Sequence, residues 1–99
     1  MKQSTLETLE PLLRFLRGYD VLVETDGAKF LLNGRDFVHF HDDPDGLWAD
    51  AKLAKGRIRV SVATRSEQGE LMEMIAAKLD SIEERDGRSN AKRHRRRDA

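Results

Sequence analysis

Cysteine is absent from the chain. That excludes a disulfide framework and any thiolate metal site. No apolar run approaches the roughly 20 residues of a membrane-spanning helix. The seven glycines are scattered singly, so nothing resembles a phosphate-cradling loop. Aromatic residues are few: four Phe, one Trp and one Tyr. Proline occurs only twice, at Pro11 and Pro44. The start, Met1-Lys2-Gln3-Ser4-Thr5, leads into an amphipathic segment and not an apolar signal core. The expected location is therefore cytoplasmic, with no membrane partner.

Net charge is also missing, but its zero is composed of two unlike parts. The chain has 18 basic and 18 acidic residues. Residues 87–99 hold six of the former and one of the latter, which leaves 12 against 17 in residues 1–86, a net of −5. Ninety-nine residues bound a single small core. The expectation is one acidic domain over residues 1–86 and a basic tail over 87–99.

What is present is a clear change of period along the chain. Ser4 to Glu7 fits a capping box, and Leu6, Leu9, Leu13 and Leu16 then recur at helical spacing, with Leu12 widening the stripe. Pro11 interrupts it: either the helix kinks there, or it begins near Thr8 with Pro11 in its first turn. Gly18 ends it. Five alternating segments follow: Tyr19 to Thr25, Ala28 to Leu32, Arg35 to Asp42, Leu47 to Ala54, and Arg57 to Ala63. Asp26-Gly27 and Asn33-Gly34 between them are strong hairpin signals, because type I′ turns need positive φ at both central positions. Thr64-Arg65-Ser66-Glu67 is a second capping box. Leu71, Ile75, Leu79 and Ile82 then hold one helical face to about Arg85. From Arg88 onward there is no apolar period, so the tail is expected to be disordered.

The fold class expected is α+β: a helix, a five-stranded antiparallel meander and a second helix, both helices on one face of the sheet. Turn lengths fix the pairing. A four-residue loop at 43–46 sets Phe40 opposite Ala49 and His39 opposite Asp50. A two-residue loop at 55–56 sets Lys52 opposite Arg59 and Asp50 opposite Ser61. The core face then holds Val38, Phe40, Ala49, Ala51, Leu53, Ile58, Val60 and Val62. The Asn33-Gly34 hairpin admits two registers: one puts Phe30 beside Phe37 on the polar face, the other puts Phe30 in the core through a bulge.

The opposite, open face is where a function would sit. It is expected to present Phe37, His39, His41, Trp48, Asp50, Lys52, Arg57 and Arg59 as ligand-binding residues. Three chemistries fit this composition. His39 and His41 on one strand, with Asp50 as an oxygen donor, have the ingredients of a divalent-metal site. Exposed aromatics with Lys and Arg are the ingredients of a single-strand stacking platform, although the domain is acidic. An uncovered apolar–aromatic patch also pairs readily with its twin, giving a homodimer. In the tail, Lys92, Arg93, Arg95, Arg96 and Arg97 supply weak, nonspecific nucleic-acid contact. The reading is a small binding module with no catalytic residues assigned and no cofactor required. The alternative is a metal-dependent enzyme or metal-binding protein centred on His39 and His41.

Phe30, Gly34, Arg35, Asp36, His39 and His41, within Ala28 to His41, match in order a strand–turn–strand unit with an acidic residue and His-x-His. In this the chain resembles small bacterial "luciferase domain" proteins of unknown function. It departs from them after Asp43, where they carry a longer insertion. A fainter similarity is to YjbR-like small DNA-binding proteins, which share the strand–Asn-Gly-Arg–strand unit. Neither resemblance implies a mechanism.

Overall fold

In a computed structural model, the chain is described over residues 1–25, 28–53 and 56–86, with side chains to residue 82. The order is α1 (Gln3–Arg17), β1 (Leu22–Thr25), β2 (Lys29–Leu32), β3 (Arg35–Asp43), β4 (Gly46–Leu53), β5 (Gly56–Ser61) and α2 (Arg65–Asp86). The sheet is an antiparallel meander with strand order β1-β2-β3-β4-β5. The class is α+β, as the change of period implied. The basic tail and the Asp26-Gly27 turn lie outside the described residues.

α1 does not start as the sequence suggests. Its N-cap is Lys2, whose side chain makes no cap, and the helix runs from Gln3 straight through Pro11. The Ser4–Glu7 capping box is therefore not used. Proline removes the donor that would serve the Glu7 carbonyl, yet the helix continues because its buried face anchors it. Leu9, Leu12, Leu13 and Leu16 are at most 2% exposed. The second capping box does form. Glu67 N donates to Thr64 Oγ1 (3.1 Å), and Thr64 N donates back to the Glu67 carboxylate (3.2 Å).

Leu9, Leu12 and Leu16 of α1 and Leu71, Ile75 and Leu79 of α2 belong to one buried cluster. Phe30, Val38, Phe40, Ala49 and Ala51 of the sheet complete it. Ala49 and Ala51 are fully buried. The Thr5 hydroxyl donates to the Asp42 carboxylate and ties the start of α1 to the end of β3.

Pairing between β3 and β4 is as the turn length implied: Phe40 faces Ala49 and His39 faces Asp50. Between β4 and β5 the register differs by two residues. Asp50 faces Arg59, Ala49 faces Val60 and Lys52 faces Arg57. The cause is Gly56, which pairs with Leu53 as the first strand residue. A slip of two leaves every side chain on its expected face, because the strand period is two.

The Asn33-Gly34 hairpin resolves into a combination of its two registers. Asn33 (φ 56°) and Gly34 (φ 79°) make a two-residue turn, and Leu32 faces Arg35 across it. A β-bulge then follows: Leu31 faces Asp36 while Phe30 faces Val38, so Phe37 is the extra residue. A bulge re-aims a side chain. Phe37 is 2% exposed, as deep as its neighbour Val38. Its expected place on the open face is thus wrong; it is a core residue. Along β5 and just past it the expected core membership is uneven: Val62 is fully buried, but Ile58, on the edge strand, is 37% exposed.

Candidate functional site

Strand alternation carries His39 and His41 on β3, Trp48, Asp50 and Lys52 on β4, and Arg57 and Arg59 on β5 to the face away from Val38, Phe40 and Ala51. Lys29 joins them, opposite His39. Of the eight residues expected there, the structure brings seven onto this face and removes Phe37.

Asp50 is the hub of the seven. Arg59 Nε donates to its Oδ1 at 2.8 Å and Arg59 Nη2 to its Oδ2 at 3.2 Å. His41 Nε2 lies 2.9 Å from Oδ2. Only 15% of the Asp50 side chain is exposed. The Arg59 guanidinium, and after it the His41 hydrogen bond, hold the carboxyl below its ordinary range in spite of burial. An ionised Asp50 accepts, so His41 Nε2 carries the proton and donates. The histidine contacting Asp50 is thus the diagonal His41 and not the directly opposed His39; diagonal neighbours are within reach of long side chains.

The His39 and His41 rings lie 4.4 Å apart, centroid to centroid, tilted by 51°. Burial pushes His39 below its ordinary value, and His41 and Lys29 beside it add to the effect, against Asp36 and Asp50. His39 is accordingly a neutral imidazole at pH 7. The three expected metal ligands do not converge. His41 spends Nε2 on Asp50, and both Asp50 oxygens are engaged. Among the described residues no group of three or more His, Asp or Glu has metal-holding geometry.

Trp48 is half-buried opposite His41. Its Nε1 donates a long 3.4 Å hydrogen bond to Asp45. A Cβ on Gly46 would meet that nitrogen at 3.2 Å, so the bare glycine lets the indole lie over the strand. Lys52 and Arg57 face each other directly. Among the described residues neither has an acidic partner within 4 Å.

Comparison with family models, with curated proteins and with solved structures returns no match. The site has to be read from its own chemistry. Among the described residues no helix is long and apolar enough to cross a membrane.

Two groups escaped the sequence reading. The Lys29–Asp36 ion pair, at 3.9 Å, is a diagonal contact set by the two-residue turn, in which Leu31 faces Asp36, a register the sequence left open. Gln68 is 1% exposed at a helical-stripe position three residues before Leu71. A polar residue on a core stripe was the available signal. The tail residues Lys92, Arg93, Arg95, Arg96 and Arg97 lie outside the described residues.

Proposed function

We propose that this domain is an interaction module, that its two helices cover one sheet face, and that the other face is the working surface. The partner that fits its charge layout is a second copy of the chain. The observation that carries the reading is the polar arrangement along the strands. Asp43 and Asp45 lie at the β3–β4 turn, and the directly opposed Lys52 of β4 and Arg57 of β5 lie at the far end of the sheet. Like charges directly opposite each other destabilise a sheet. A two-fold axis through the middle of the face places the acidic end of one copy over the basic end of the other. The Arg59–Asp50–His41 line is already fixed in the monomer, so little side-chain order has to be gained on contact. Trp48 supplies the apolar area. The resemblance to "luciferase domain" proteins is compatible with this reading and adds no ligand.

Sedimentation velocity of the full chain tests it. The expected result is a dimer that dissociates as salt is raised. Lys52→Glu with Arg57→Glu should give a monomer. Adding Asp43→Lys and Asp45→Lys should restore the dimer. A folded wild type that stays monomeric at about 100 μM, a concentration that reveals even weak association, would overturn the proposal.

A further inference from the structure

A cleft of about 770 Å³ opens at the end of the sheet opposite the Pro44-Asp45 turn, between the Asn33-Gly34 turn, the last residues of β4 and the second half of α2. This volume is within the range of small-molecule sites, ~300–1,000 Å³. Its walls are of two kinds. Leu32, Phe37, Leu53 and Ile82 give it an apolar lining. Arg35 from β3, Lys52 from β4 and Lys78 from α2 bring three cations to its rim from three elements.

Among the described residues none of the three cations has a carboxylate within 4 Å. The acid on the rim, Asp36, is paired with Lys29. Residues 1–86 have a net charge of −5, so a three-cation cluster runs against the sign of the domain. Three like charges around an apolar hollow repel one another, and an anion placed among them relieves that repulsion.

We propose that this cleft binds an organic anion with an apolar body: a carboxylate or phosphate head held by Arg35, Lys52 and Lys78, and a short hydrocarbon chain or ring against Leu32, Leu53 and Ile82. Arg35 is the residue suited to a planar, two-point grip on such a head. The site stands independently of self-association. Lys52 borders both surfaces, but Arg35 and Lys78 belong to the cleft.

Residue-resolved NMR titration of the full chain tests the proposal with five probes: octanoate and octyl phosphate, the heads alone as acetate and inorganic phosphate, and the body alone as octanol. The two amphipathic anions are expected to bind with Kd below about 1 mM and to shift the amides of Leu32, Leu53, Lys78 and Ile82. Octanol and the bare heads should bind at least about tenfold more weakly at those positions, because each offers one half of the interaction. Which octyl probe binds more tightly identifies the head. Arg35→Ala with Lys78→Ala should weaken octanoate binding by about tenfold or more, while Arg14→Ala, exposed on α1 and away from the cleft, should leave it unchanged. The folded state of each variant is read from the same spectra. Octanol binding as well as octanoate, equal affinity in the Arg35/Lys78 variant, or shifts confined to residues outside the cleft would overturn the assignment. A wild type that stays monomeric yet binds octanoate would sink the self-association reading alone.

Discussion

The Gln68 side chain donates its amide to the Thr8 carbonyl of α1 at 2.9 Å, sixty residues away in sequence. The same nitrogen donates to the Val62 carbonyl at 3.0 Å. One buried amide thus joins both helices and the chain segment leaving β5. It does so one residue along from Glu7, whose carbonyl lost its donor to Pro11. Gln68→Glu removes both donors and should destabilise the domain by about 2–4 kcal/mol, since it leaves two carbonyls facing a buried carboxyl. Urea denaturation checks this. A midpoint equal to wild type would show that the bridge contributes nothing.

The bulge gives a direct contrast between two aromatic residues. Phe37→Ala should cost about 3–5 kcal/mol, the usual range for emptying a buried phenyl site. Trp48→Ala, on the half-buried face, should cost less in stability and instead alter association. If the two thermal midpoints fell equally, Phe37 would not be a core residue.

Burial is uneven along β5 and just past it, so a charge should be tolerated at one position and not at another. Val62→Asp should prevent folding, because an unpaired charge in the core costs several kcal/mol against a total of about 5–15. Ile58→Asp should fold. Circular dichroism of the two variants decides the matter, and a folded Val62→Asp would contradict the core assignment.

Acid should act on stability in two stages. Burial and the neighbouring His41 and Lys29 depress His39 in the folded state. The unfolded chain therefore takes up that proton first as pH drops past about 6.5. The contribution is complete above that value and is lost as pH falls below it towards the folded value. His39→Gln should flatten this first stage. Asp50, lowered by Arg59, and Glu67, lowered chiefly by Ser61, contribute stability that persists above their ordinary values of about 4 and disappears only below them. Urea midpoints at pH 7.5, 6.0 and 5.0 for wild type and His39→Gln read the first stage. Identical curves would exclude His39 as its source.

Any polyanion contact is expected to come from the basic tail. Replacing Arg95, Arg96 and Arg97 with Ala should abolish weak single-strand binding, and in wild type that binding should fall with salt at a log–log slope of about −4 to −5. Binding retained at about 150 mM salt by the substituted chain would move the contact to the Trp48 face, where stacking is worth about 1–3 kcal/mol per base.

Much of this architecture is visible in residue spacing. Alternation from Leu47 to Leu53 and the turn at Pro44 fix the β3–β4 pairing, because a slip of one residue would bury Asp50 and expose Ala49. The same alternation is blind to a slip of two. The partner of Asp50 therefore had to come from the position of Gly56, and with it the Arg59–Asp50 contact that organises the face. Phe37 was hidden for a different reason: a bulge inserts a residue without leaving a mark in composition. At α1, Ser4 and Glu7 carried the right letters for a cap, but the leucine stripe and the contact of Thr5 with Asp42 settled where the helix starts.

The bulge at Phe37 also acts as a phase switch within β3. Downstream of it, His39 and His41 keep step with the open face. Upstream, Arg35 falls in line with Leu32 and Leu22, and Asp36 falls on the side of Lys29. Deleting Phe37 would remove the bulge yet leave Arg35 and Asp36 on their present faces, because Phe30 already faces Val38 and Leu31 already faces Asp36. The extra residue thus adds an aromatic ring to the core without disturbing the order of charges on the cleft wall or either hairpin turn.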